Sequence, residues 1–157
     1  MTSRGRRTRG FSLLELVIVV VILGIIAAIA IPRMSRGSAG AADSALSSNL
    51  AVLRNAIDLY AAEHNGTYPD ATNIADQLTK YTDASGDVSA TKDTTHIYGP
   101  YLRKIPPLPV GARKGGTLIS TSDDTGVGWI YNATTGEIKA NCTDTEVDAT
   151  GKKYNTY

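Results

Sequence analysis

Glu15 is the residue whose surroundings demand a chemical explanation. It is the one charged side chain between Phe11 and Ile31, a run otherwise apolar apart from Ser12 and Gly24 and followed at once by Pro32. An ionised carboxylate near the start of a helix in lipid costs at least about 2.5 kcal/mol unless a cation meets it. No Lys or Arg lies within reach on the same helix, and interfacial water already solvates the arginines ahead of it, Arg4, Arg6, Arg7 and Arg9. A cut between Gly10 and Phe11 would expose an α-amino group on Phe11. That amine is awkwardly placed for its own Glu15 but suits the Glu15 of a neighbouring helix displaced along the axis. The residues alone leave two readings open: a proteolysed, self-associating membrane helix, or a plain anchor whose Glu15 snorkels to the interface.

The other candidates for chemistry are weaker. His64 and His96 are separated by a polar loop and have no Cys or carboxylate at metal-ligand spacing, so each is expected at a helix end or in solvent. Asp123 and Asp124 are weak metal candidates, as are the acids of the last stretch, Asp144, Glu146 and Asp148. Calcium takes six to eight oxygens from a shaped loop, so turn and tail acidity is the expected role. No cofactor is expected beyond that weak case for calcium. Cys142 is the only cysteine, which excludes an intrachain disulfide and a thiolate zinc site. No nucleophile elbow, phosphate-cradling glycine loop or paired-histidine motif occurs, and no enzymatic activity is expected.

The elements that must position Glu15 follow from hydropathy. At about 1.5 Å per residue, a helix from Phe11 to Ile31 reaches roughly 30 Å, the thickness of a bilayer's hydrocarbon core. The preceding arginines are expected to hold the N-terminus in the cytoplasm and place the remainder across the membrane. The sequence Ile31-Pro32-Arg33 offers no small-residue cleavage site, so the span is expected to be retained. Gly24 and Pro32 should soften the helix, Pro32 because it lacks an amide hydrogen and crowds the preceding turn.

Beyond the span, Leu46, Leu50, Leu53, Ile57 and Tyr60 recur in steps of four and three, one apolar stripe on an amphipathic helix. Asn65-Gly66 supplies its stop. A short second helix is expected to bury Ile74, Leu78 and Tyr81, capped by Asp70 or Thr72. Residues 83–96 read as a polar surface loop, and Pro106–Pro109 as an extended segment without ladder hydrogen bonds. Three strands follow, over 117–121, 127–131 and 137–140, with Trp129 in the core. Whether the Trp129 face or the Ile130 face meets the helix is open at this point. Residues 143–157 read as a polar tail.

Charge adds an exclusion. The chain carries 16 basic and 15 acidic residues, and four of the basic ones precede Gly10, so the remainder is mildly acidic. With no Lys/Arg-rich face interleaved with aromatics, nucleic acid is not an expected partner.

Gly10-Phe11-Ser12-Leu13-Leu14-Glu15, behind its basic leader, resembles the processing site of type IV pilins and type II secretion pseudopilins. Asn65-Gly-Thr-Tyr-Pro69, Tyr98-Gly-Pro-Tyr101 and Gly128-Trp-Ile-Tyr-Asn132 resemble segments of the major, G-like pseudopilin group. The resemblance implies an α+β pilin-like fold, with a long N-terminal helix packed on a small antiparallel sheet. It divides the chain into a leader (1–10), a membrane and assembly helix (11–32), a periplasmic domain (33–142) and the tail (143–157). It further implies cleavage by prepilin peptidase between Gly10 and Phe11, N-methylation of Phe11, and Glu15 as partner of an adjacent subunit's amine. The implied assembly is a homo-oligomeric filament, with minor pseudopilins and an inner-membrane platform as partners, in the periplasm. Where the G-like group continues with Asp-Pro-Trp-Gly and a calcium loop, this chain instead reads Pro107-Leu-Pro-Val-Gly111. Two alternatives are a type IV or competence pilin and, in a different class, a single-span anchored periplasmic binding module.

Overall fold

The computed structural model describes the backbone of residues 11–157 and the side chains of residues 11–29 and 39–157. The expected leader, with Gly10, and the side chain of Pro32 lie outside that description. The chain divides into two compact units, Met1–Ser38 and Ala39–Tyr157, and helix α1 (Leu13–Glu63) supplies residues to both. Helical backbone continues through position 32.

In the second unit the α1 stripe is the heart of the core. Leu46, Leu50, Leu53, Ile57 and Tyr60 are all buried, as their four–three spacing predicts. Asn65 and Gly66 adopt positive φ (55° and 83°), and the Gly66 amide donates to the Ala61 carbonyl at 2.7 Å, which terminates the helix. The short helix α2 (Ile74–Thr79) buries Ile74 and Leu78. Its cap position is Asn73, without a side-chain cap bond. Asp70 does not cap it but closes the turn before it, accepting the Thr72 amide and hydroxyl, each at 2.7 Å.

Five strands form two sheets. Strand β1 (Tyr81–Thr82) holds Tyr81, expected on the second helix, as a half-buried strand residue beyond the end of α2, and it pairs antiparallel with β2 (Val88–Ser89), which lies inside the stretch expected to be loop. Strands β3 (Leu118–Ser120), β4 (Val127–Asn132) and β5 (Glu137–Ala140) make the main sheet in that order. The β4–β5 hairpin is antiparallel and turns through Gly136 at φ 72°. The face question is decided: Val127, Trp129, Tyr131 and Ile138 are buried, while Ile130 is only half-buried. The Trp129 indole donates to the Pro106 carbonyl at 2.8 Å and the Tyr131 hydroxyl to the Pro69 carbonyl at 3.0 Å, so both polar tips are satisfied.

The expectation of an all-antiparallel sheet needs correction, because β3 runs parallel to β4. The physical reason lies in the glycines. A Cβ on Gly128 would sit 2.1 Å from the Gly116 carbonyl oxygen, so the two main chains approach as only glycines permit. Gly128 is also where the pairing slips, between Leu118↔Val127 and Ile119↔Trp129. The stretch 122–126, between the two expected strands, returns the chain to the start of β4. Asp123 holds it there through Arg113 and Asn141. Parallel strands ordinarily need about a dozen connecting residues, but a three-residue strand is short enough to be retraced by this loop.

Two further expectations change. Pro106–Pro109 is not without main-chain pairing: Leu108 is buried, and its amide donates to the Gly116 carbonyl at 2.9 Å. Residues 143–157 are not a free tail. The Tyr154 hydroxyl donates to Asp43 at 2.9 Å, Arg54 donates to the main-chain oxygen of Tyr157 at 2.5 Å, and Lys152 lies 3.8 Å over the Tyr157 ring. A single 3-10 turn, Tyr154–Thr156, presents these groups to α1.

Trp129→Ala should destabilise the second unit by about 3–5 kcal/mol, and Ile130→Ala by clearly less, in urea unfolding of the full chain in detergent. Alkaline pH should release the last residues. Burial first, and then the bond to Asp43, pushes the Tyr154 hydroxyl up to about 12. Its folded value is raised, so its contribution is complete below about pH 10 and fades as pH climbs through 12. The protection of amides 153–157, taken relative to the intrinsic exchange rate at each pH, should fall over that window and stay flat between pH 7 and 9.

Candidate functional site

The start of α1 is built by a reciprocal cap. Ser12 precedes the helix, and its hydroxyl accepts the Leu14 amide at 3.3 Å while its carbonyl accepts the first helical bond from Leu16 at 3.2 Å. Glu15 reaches back, its Oε2 accepting the Ser12 amide at 2.9 Å. Ser and Glu three apart at a helix start form a capping box, which satisfies amides that no helical carbonyl can reach. A carboxylate in the first turn also meets the positive end of the helix dipole. Glu15 therefore has a partner within its own chain that charge arithmetic on Lys and Arg overlooks. The signal lies in the sequence as Ser12-x-x-Glu15, and Ser12 is the capping residue that a reading by charge leaves out. The second carboxylate oxygen, Oε1, has no hydrogen-bond partner among the described residues.

From this cap the helix presents apolar side chains on every side. Phe11 is 86% exposed, and Leu13, Leu14, Leu16 through Leu23, Ile25, Ile26 and Ile29 all remain open. A Cβ at Gly24 would meet nothing within 4 Å, so this glycine leaves a notch in an uncovered surface. A helix apolar all round is stable only when something covers it. No helix among the described residues is long and apolar enough to cross a membrane. The described side chains of this segment stop at Ile29, short of the expected end at Ile31. An uncovered apolar helix is thus present, and the expected crossing of a bilayer is not among the features shown.

The remaining candidates separate. Asp123 is committed elsewhere: Arg113 donates to both its oxygens, at 2.8 and 2.9 Å, and Asn141 adds a bond of 2.7 Å. The guanidinium and then Asn141 hold the Asp123 carboxyl below its usual range. Asp124 accepts the Thr125 amide at 2.6 Å. Among the described residues no three His, Cys, Asp or Glu side chains are grouped to hold a metal ion. His64 is buried at the end of α1, stacked on Tyr60 with ring centres 3.8 Å apart, its ring nitrogens 2.8 and 2.9 Å from the carbonyls of Tyr60 and Asp83. His96 belongs to a local turn with Asp93, and the two histidines are not brought together. Cys142 is half-buried beside Gly111, its thiol pushed up to about 11 by burial first and then by Glu146, so it is a poor nucleophile.

Residues 5–31 match the family model described as the prokaryotic N-terminal methylation motif. That motif is typical of type IV pilin-like proteins, which are structural subunits. The matched segment contains the Ser12–Glu15 cap and most of the uncovered helix. No curated protein and no solved structure matches the chain. The α+β fold, a long N-terminal helix with small sheets, is consistent with a pilin-like domain.

Proposed function

We propose that this chain, bearing the methylation motif at its N-terminus, is a structural subunit of a type II secretion-type pseudopilus. The observation that carries the reading is the pairing of that motif with an apolar helix whose described side chains stand open. The helix is held first by the inner membrane, with the N-terminus in the cytoplasm and the second unit in the periplasm. Leu13–Ile29 alone reaches roughly 25 Å, and Ala30 and Ile31 complete most of the bilayer core of about 30 Å. Prepilin peptidase cuts between Gly10 and Phe11 and methylates the Phe11 amine, which keeps its proton and positive charge. An assembly platform then transfers the subunit into a filament with its own copies and with minor pseudopilins.

The capping box gives Glu15 a mechanical role in that step. Oε2 is fixed by the Ser12 amide, and this bond survives removal of residues 1–10 because Ser12 keeps its N–H. Oε1 is left for the Phe11 amine of an adjacent subunit. The carboxylate thus waits in one orientation instead of searching rotamers, which lowers the ordering cost of the new ion pair. The outer side of α1 supports self-association too. Ala41, Ser44, Ser48, Val52, Asn55, Leu59 and Ala62 follow an uncharged three–four pattern, and all are exposed.

The bond from Ser12 to Glu15 also favours the plainer alternative of an anchored binding module, in which the acid does nothing beyond capping. Glu15→Gln separates the two. Glutamine preserves the capping box but cannot form the ion pair. Filament yield in cells should fall at least tenfold for both Glu15→Gln and Glu15→Ala. Normal assembly by the glutamine variant would reduce Glu15 to a cap. Processing gives an independent check: intact-mass measurement should find the wild-type chain starting at a methylated Phe11 and a Gly10→Val chain retaining residues 1–10. Trimming of the valine variant at the same bond would remove the proposed site.

A further inference from the structure

A cavity of about 260 Å³ opens where the end of α1, the start of α2 and the β1–β2 turn meet, lined by Tyr60, Tyr68, Asp70, Gln77, Ser85 and Asp87 among others. Tyr60 is 3% exposed, yet its hydroxyl has no hydrogen-bond partner among the described residues. The oxygen itself is not fully buried and opens into the cavity. His64 stacks on its ring at 3.8 Å and Tyr101 meets it edge-on at 5.7 Å, which fixes where the hydroxyl oxygen lies. Gly86 keeps the hydroxyl uncovered, since a Cβ there would lie 2.6 Å from it. Gln77 braces the walls: its Oε1 accepts the Asp70 amide at 2.8 Å and its Nε2 donates to the Gly86 carbonyl at 2.9 Å.

The electrostatics of this cavity have one sign. No Lys or Arg lines it, whereas Asp70 and Asp87 do. Asp70 uses one oxygen in its turn with Thr72, and the Asp87 carboxylate has no hydrogen-bond or ion-pair partner among the described residues. Burial first, and then Asp70 and Asp83, make the Tyr60 hydroxyl harder to ionise, so it stays a neutral group able to accept a hydrogen bond. No metal-ligand cluster is found among the described residues, and the volume exceeds what a bare ion fills.

We propose that this cavity binds an organic cation, the ammonium or guanidinium end of a flexible chain, with Tyr60 Oη accepting a hydrogen bond from it and Asp70 and Asp87 balancing its charge. Two sources share this chemistry, a free amine and a basic side chain of a second copy of this chain. Arg103 and Lys104 are exposed neighbours that make no salt bridge among the described residues. The site stands apart from the assembly reading and survives if that reading fails.

The test titrates the full chain in nonionic detergent with butylammonium and with butylguanidinium chloride, against neutral butanol, following the amide resonances of Ser85, Gly86 and Asp87. Saturable shifts are expected with the cations and not with butanol. Tyr60→Phe removes only a hydroxyl without a partner, so it should leave the melting temperature unchanged and weaken binding about tenfold. Asp87→Asn, at the exposed rim, should weaken it comparably without touching the core. No saturable shift with either cation, or binding that both variants leave unchanged, would overturn the proposal. A photo-crosslinker at Thr67 distinguishes the sources: capture of a second copy, lost on Arg103→Ala with Lys104→Ala, identifies the side chain. Small-cation binding without that capture identifies a free amine.

Discussion

The burial of one side of α1 against one side of the β4–β5 hairpin is the constraint from which the second unit follows. Leu46, Leu50, Leu53, Ile57 and Tyr60 form a surface too wide for any single loop to cover, and Trp129, Tyr131 and Ile138 supply the facing layer. Once these meet, the proline-rich segment has one place to go. Leu108 and Val110 are drawn into the same core, and the Pro106 carbonyl is left where the Trp129 indole needs an acceptor. The glycine contact between residues 116 and 128 then lets β3 lie alongside β4, because no side chain stands between the two main chains.

The N-terminal half of α1 obeys the opposite logic. Every large side chain from Phe11 to Ile29 remains open among the described residues. Such a surface is a demand for a partner, whether lipid or further copies. Glu15 is the one polar group within it, and the capping box explains how a carboxylate tolerates that setting. It lies in the first turn, where free amides and the helix dipole both favour negative charge. Its other oxygen, Oε1, has no hydrogen-bond partner among the described residues, which is the opening that the proposed ion pair uses.

Polar anchoring gives the rest of the second unit its definition. Asp123 with Arg113 and Asn141, Tyr154 with Asp43, and Arg54 with the Tyr157 main chain each join positions far apart in sequence. Each is worth little in water-exposed settings. Together they convert stretches with no hydrophobic period into ordered segments, and they hold Asp123, which sequence alone offered to a metal, in an ion pair instead.

Sequence by itself determined what depends on local period and composition. The apolar run with its single acid, the α1 stripe, the Asn65-Gly66 stop, the β4–β5 hairpin and the methylation motif are legible because neighbouring residues carry the whole signal. The Ser12–Glu15 cap was equally legible by its spacing, and attention to opposite charges concealed it. Tertiary structure decided which side of β4 faces α1, the parallel course of β3, the docking of residues 143–157 and the cavity beneath Tyr60. A strand shows two faces, a glycine suits a turn or a close approach, and a tyrosine in a tail differs from an anchored one only by its partner. Those choices are made by contacts between residues distant in the chain, where the energy of one arrangement over another resides.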